Sequence, residues 1–218
     1  MNDGTHLPIW HDPRVFEAGR SRMAASATRY PDRVMALAQD ESPSELSLTG
    51  SWKFLWASSF DLQPEGFFEI EFDDSEWDEI DVPGVWQLQG YGVPHYRNIG
   101  LPPGPDEKDP PGIDPALNSV GCYRTSFKLP ENWPAEKVML HFGGVKAAFQ
   151  VWLNGNLLGY SQDSMLPAEF EITQHLESGE NQLSVLVYRF CDGSFLEDQD
   201  MWYLNGIFRD VAIYQTPL

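Results

Sequence analysis

The stretch Ala148-Phe-Gln-Val-Trp-Leu-Asn-Gly-Asn-Leu-Leu-Gly-Tyr160 decides the fold class. Its runs flank Asn154-Gly155, and Asn-Gly between two such runs is the strongest short-range hairpin signal, because both residues accept the positive φ that a tight turn needs. Further strand-like runs precede it, Cys122-Tyr-Arg-Thr-Ser-Phe-Lys-Leu129 and Lys137-Val-Met-Leu-His-Phe142. Others follow at Phe170-Glu-Ile172, Asn181 to Phe190 and Ile207 to Tyr214. In the run from Asn181, Leu183, Val185 or Leu186, and Val187 are available for a core. Upstream, Ser51-Trp-Lys-Phe-Leu-Trp56 alternates and sets Trp52, Phe54 and Trp56 on one face. Strands about every ten residues, with turn residues between, predict an all-β antiparallel sandwich. An aromatic content of 13% suits such a core.

Before Leu46 the pattern differs. Residues 1–45 read as an irregular N-terminal arm with a short helix or two, Ser21-Arg-Met-Ala-Ala-Ser26 being helix-compatible. The segment Met1 to Trp10 lacks a basic region followed by an apolar run, so no secretory signal is expected. Cys122 and Cys191 have no metal-type spacing and are expected as buried free thiols, consistent with a cytoplasmic setting.

Composition excludes several functions. The net charge is −19, from 33 Asp and Glu against 14 Lys and Arg, which argues against nucleic acid or anionic membrane as a partner. With 42% apolar residues the chain should fold, and 218 residues are too few for an α/β barrel with anything attached. Ten acids lie between Phe54 and Tyr96, with no Lys or Arg, and are expected to form a solvated face. Asp73-Asp-Ser-Glu-Trp-Asp-Glu79 lacks the turn glycine of a calcium loop. From Asn98 to Val120 six prolines and no periodicity predict a long loop, inert or functional.

Phosphate-loop, dinucleotide, zinc-protease and serine-hydrolase motifs are missing. Among the histidines, His141 fits a structural role in a strand, and His95, near the Pro-rich loop, is the one to watch. Asp192-Gly-Ser-Phe-Leu-Glu-Asp-Gln-Asp-Met-Trp202 sets Asp192, Glu197, Asp198 and Asp200 beside Phe195 and Trp202. Carboxylates can accept sugar hydroxyls while a ring covers an apolar sugar face, and carboxylates also suit a hard cation. A solvated acidic loop has the same composition.

That segment, followed by Gly206-Ile-Phe-Arg-Asp-Val211, resembles the end of the N-terminal domain of bacterial β-galactosidases of glycoside hydrolase family 2. So do Trp86-Gln-Leu-Gln-Gly-Tyr-Gly-Val-Pro-His-Tyr-Arg-Asn98, Gly121-Cys-Tyr, Phe142-Gly-Gly-Val, and Gly159 to Phe170. The resemblance runs from about Leu46 to the C-terminus, with a weaker echo at Trp10 to Val15.

The resemblance implies a jelly-roll sandwich, galactose-binding-domain-like, over residues 46–218. It further implies a retaining enzyme acting on β-galactosides such as lactose. Its two glutamates, about 5–5.5 Å apart, lie on a catalytic barrel domain. That barrel and an immunoglobulin-like domain fall outside these residues, so this chain alone is expected to be inactive and to need a barrel-bearing partner. By resemblance Asn98 and Asp200 bind substrate, and Asp200 holds sodium beside the sugar. An accessory magnesium site would take Asp12, Gln162, Asp192 and the Val15 carbonyl, with Ile9 standing where the family has an aspartate. No organic cofactor is implied, and an oligomeric parent is compatible. Two other functions remain open: a free-standing carbohydrate-binding module, or a domain serving assembly only.

Overall fold

The computed structural model describes residues 8–22, 25, 27–28, 30, 32–39, 42–98, 106, 109–131, 133, 137–197 and 199–216. In chain order the strands are β1 (Glu17–Ala18), β2 (Glu45–Ser47), β3 (Gly50–Ala57), β4 (Asp78–Val82), β5 (His95–Arg97), β6 (Val120–Lys128), β7 (Lys137–Phe142) and β8 (Val145–Lys146). They continue as β9 (Ala148–Leu153), β10 (Asn156–Ser161), β11 (Ala168–Glu171), β12 (Glu180–Tyr188), β13 (Met201–Tyr203), β14 (Gly206–Ile207) and β15 (Val211–Thr216). One sheet has the order β1-β10-β9-β12-β6-β3-β4 and the other β11-β7-β15-β2, with all pairings antiparallel. The chain crosses repeatedly between them, at β2–β3, β6–β7, β10–β11 and β11–β12. This is the expected sandwich.

The hairpin forms where the sequence predicts it. Asn154 and Gly155 have φ of 50° and 76°, the paired positive values of a turn that matches strand twist. The Asn154 side chain is also used, donating to Asn181 Oδ1 and the His175 carbonyl, each at 2.9 Å.

Alternation decides the interior. Trp52 and Phe54 of β3, Tyr123 and Phe127 of β6, Phe149, Val151 and Leu153 of β9, and Leu183, Val185 and Val187 of β12 face the small sheet. Leu140, Phe142, Val211 and Ile213 meet them from that sheet. Trp56 is half-buried and packs against the same core. Leu186 turns the other way and joins a second apolar cluster on the outer face of the large sheet. Both candidate positions at 185 and 186 are therefore used, because this sheet is covered on both faces.

The outer cover comes from segments without regular strands. Trp10 of the arm stacks on Tyr188 at 4.9 Å and meets Phe60 at 4.2 Å between ring centroids. Phe68 lies parallel to Trp152, 5.0 Å away. The acidic stretch is thus more than a solvated face: its acids point mostly to solvent, while Phe60, Phe67, Phe68, Phe72 and Trp77 turn inward. Buried Arg124 on β6 ties the stretch down, donating to the Phe67 and Glu69 carbonyls and, at 2.6 Å, to Asp74. The guanidinium thereby satisfies the buried Phe67 carbonyl.

Elsewhere the expectations needed adjustment. The arm holds a short helix, as expected, in α1 (Arg33–Ala38), capped by Asp32 through the Val34 and Met35 amides at 2.8 and 2.9 Å, but it also supplies β1, which extends the large sheet. The described part of 21–26 is not helical, and Met23, Ala24 and Ser26 lie outside the described residues, as do Met1 to Leu7. The run from Ile207 to Tyr214 divides into β14 and β15. In the Pro-rich loop Ile113 is buried in the outer cluster, whereas Pro102, Pro103 and Pro105 fall outside the described residues.

Candidate functional site

Strands β5 and β13 are three residues each and pair with each other as a separate ribbon, with Met201 opposite Arg97, Trp202 opposite Tyr96 and Tyr203 opposite His95. Tyr96 and Trp202 are directly paired and share a face, and the residues just beyond the paired strands, Asn98 and Asp200, stand at the same end of the ribbon. Asn98 and Asp200, separated by about a hundred positions in sequence, flank the Arg97–Met201 pair and are both exposed. Tyr96 Oη donates to Asp200 Oδ1 at 2.5 Å. The Tyr96 and Trp202 rings sit 5.6 Å apart, tilted by 44°, and are 47% and 57% exposed. A carboxylate and two rings therefore stand together on the surface, with exposed Asn98 at the same end of the ribbon, and acceptor, donor and apolar groups are what a polyol requires.

The opposite face of the ribbon is anchored. Tyr203 is buried, and the Lys146 ammonium lies 5.3 Å from its ring centroid and 3.5 Å from Met201 Sδ. Burial holds that lysine below its ordinary pKa. Next along the chain, Asn205 and Gln87 exchange hydrogen bonds: Gln87 Nε2 donates to Asn205 Oδ1 at 2.9 Å, and the Asn205 amide donates to Gln87 Oε1 at 2.8 Å. Asn205 Nδ2 also reaches the Arg189 carbonyl at 2.9 Å. The Trp86–Gln89 turn is thereby fastened to the end of the ribbon. Nothing local in sequence signals this link, because its partners are far apart in the chain.

The four acids from Asp192 to Asp200 do not act as one cluster. Glu197 accepts from the Ser164 amide at 3.1 Å and its hydroxyl at 2.5 Å. Asp200 belongs to the ribbon, Asp192 faces Gln162, and Asp198 lies outside the described residues. Phe195 packs into the outer cluster. Among the described residues no group of three or more His, Cys, Asp or Glu side chains is arranged to hold a metal.

A mixed oxygen set does converge where the arm meets the sandwich. Strand β1 pairs with β10, Gln162 follows β10, and Gln162 Nε2 donates to the Val15 carbonyl at 3.3 Å. Gln162 Oε1 and Asp192 Oδ1 are buried without a hydrogen-bond partner. Burial raises the Asp192 pKa above the usual carboxylate range, and the charge of nearby Asp12 adds to the rise. Asp12 is buried and accepts from the Arg14 side chain at 2.6 Å. Two unpaired buried oxygens beside a carbonyl and a second carboxylate fit a hard divalent cation. Ile9, half-buried, packs into the outer cluster and offers no ligand.

The remaining nominated residues have structural surroundings. His141 Nδ1 lies 3.0 Å from Glu169 Oε1, on the outer face of the small sheet. His95 alternates away from the Tyr96 face, and burial, Arg189 and Arg97 hold its pKa down. Cys122 and Cys191 are free and buried, and burial raises both thiols, Cys191 to about 12. No helix among the described residues is long and apolar enough to cross a membrane.

Fold and site define the class: an antiparallel β-sandwich domain with an exposed polar and aromatic edge. The model of the sugar-binding domain of glycosyl hydrolases family 2 matches residues 46–217, and the chain belongs to that family as its N-terminal domain. It is 44% identical over 214 residues to a beta-galactosidase of Priestia megaterium, covering 96% of this chain and 21% of the relative. A beta-galactosidase of Halalkalibacterium halodurans is 46% identical over 220 residues, covering 100% of this chain and 22% of the relative. The chain thus spans about a fifth of the length of the curated relatives it matches. A Bacteroides uniformis beta-glucuronidase crystal structure shares the fold, with a TM-score of 0.60, 23% identity, and coverage of 79% of this chain and 18% of that one.

Proposed function

We propose that this domain supplies substrate and cation contacts to a retaining β-galactosidase whose two catalytic glutamates lie outside these residues. The observation that carries the proposal is the β5–β13 pairing, which brings Asn98 and Asp200 to one exposed end of the ribbon. Homology at 44–46% to beta-galactosidases supports the substrate class, a terminal β-galactoside such as lactose. Asn98 would bond a sugar hydroxyl. Asp200, whose partner Tyr96 is a neutral donor, keeps the negative charge that a sodium ion beside the sugar would neutralise. The partner is the catalytic barrel, on the same polypeptide or on another chain, and an oligomeric enzyme is compatible. A cytoplasmic location accords with the two unpaired buried thiols.

The 218 residues alone are expected to leave a chromogenic β-galactoside uncleaved. Turnover at enzyme-like rates would mean that the reacting groups lie within this domain. The exposed Tyr96 and Trp202 rings favour one competing reading, a binding module that works by itself. Calorimetry with galactose and lactose separates the two: a millimolar or tighter Kd for the isolated chain indicates the module, and no heat indicates a half-site.

Magnesium would be held by Asp192, Gln162 and the Val15 carbonyl, with Asp12 joining only by exchanging the Arg14 guanidinium for the ion, and would fasten the arm to the sandwich. Adding magnesium should raise the thermal midpoint, by a stabilisation of about 2.7 kcal/mol at a concentration of 100 Kd. Gln162→Leu should remove most of that rise. A midpoint indifferent to magnesium in the unaltered chain would count against the site.

A further inference from the structure

We propose that Tyr96 is a positioning residue for Asp200: its hydroxyl fixes one carboxylate oxygen so that the other is offered to the cation and the sugar. The proposal rests on the reading of Asp200 given above. Asp200 lies one residue before β13 begins, so the ribbon's backbone pairing does not itself orient its side chain. What meets the carboxylate is the Tyr96 hydroxyl at 2.5 Å. Tyr96 has a defined place, because its backbone pairs with Trp202 and its ring rests against the Trp202 ring. A single hydrogen bond from a held ring selects one Asp200 rotamer and lowers the ordering cost of binding.

The chemistry of the donor matters as much as its position. Asp12 and Asp74 each pair with a guanidinium, from Arg14 and Arg124, which neutralises them. Asp200 is instead held by a neutral phenol, which orients the carboxylate and leaves its charge intact. A phenol hydroxyl is an ordinary donor at neutral pH and carries no charge of its own. An orienting donor that does not compete with a cation is what a sodium-binding carboxylate needs.

The test is a double-mutant cycle on the full-length enzyme carrying this domain, comparing Tyr96→Phe, Asp200→Asn and both together. Phenylalanine keeps the ring and its contact with Trp202. Tyr96→Phe should raise KM about three- to tenfold and raise the sodium concentration giving half-maximal activity, with kcat within about twofold. Its thermal midpoint should not move. In the Asp200→Asn background the same change should add little. If Asp200→Asn alters KM and sodium response but Tyr96→Phe alters neither, the positioning role is overturned while the reading of Asp200 stands. If the two substitutions are fully additive, Tyr96 acts independently and the proposal also fails. If Asp200→Asn itself has no effect, both fall.

Discussion

Asp200→Asn in the full-length enzyme is expected to raise KM for a β-galactoside by about 10- to 100-fold and to abolish the response to sodium, the loss typical of a hydrogen bond or ion contact made by a charged group. The substitution preserves shape. The introduced amide could still accept from Tyr96 through its oxygen, and Met201 to Tyr203 would keep their pairing with β5. What disappears is one negative charge on an exposed edge that the rest of the enzyme would enclose, where charge counts for more than in water. Steady-state kinetics across sodium concentrations measures the effect. Unchanged KM and unchanged sodium dependence would reject a direct role for Asp200 and leave the domain with a structural task only.

The largest expected loss of stability follows from Trp86→Ala, about 3–5 kcal/mol. Trp86 is fully buried, and its indole lies 6.5 Å from the Phe54 ring between centroids. Gly121 on β6 shows how tightly the ring is enclosed: a Cβ added there would come within 2.8 Å of both Trp86 Cζ3 and Phe54 Cε2. Removing the indole opens a cavity walled by strands that cannot collapse into it. The Trp86 amide also donates to the Asn205 carbonyl at 2.9 Å, so the cavity lies directly behind the clamp that fastens the ribbon. Chemical denaturation should show a lower midpoint with an unchanged m-value. A loss below about 1 kcal/mol would mean that the Trp86 turn contributes little to the core.

Much of the sandwich was legible because its strands are long and alternate. Lys137 to Phe142 forms β7 with the expected bounds, and the Asn154-Gly155 turn forms as expected. The elements that sequence reading missed are the short ones. β1, β5 and β13 have two or three residues each, too few for a period of two to emerge. β4 follows an acidic stretch whose charges mask the alternation of Ile80 and Val82. Similarly, the acids from Asp192 to Asp200 look like one cluster in sequence, yet Glu197, Asp192 and Asp200 meet different partners because the chain turns between them.

For the candidate site the division is sharper. Asn98 and Asp200 could be named from motif resemblance, and Trp202 from its place beside the acids. Tyr96 could not, since its importance lies in a hydrogen bond across the β5–β13 ribbon. The same holds for Gln87 with Asn205, and for Gln162 Oε1 and Asp192 Oδ1 left unpaired together where the arm docks. By itself the sequence determined the sandwich, its apolar faces and the residue types available for binding, because alternation and turn chemistry act between near neighbours. Only the tertiary structure decided which of those residues meet, because long-range register sets side chains a hundred positions apart on one face and local pattern carries no information about that register.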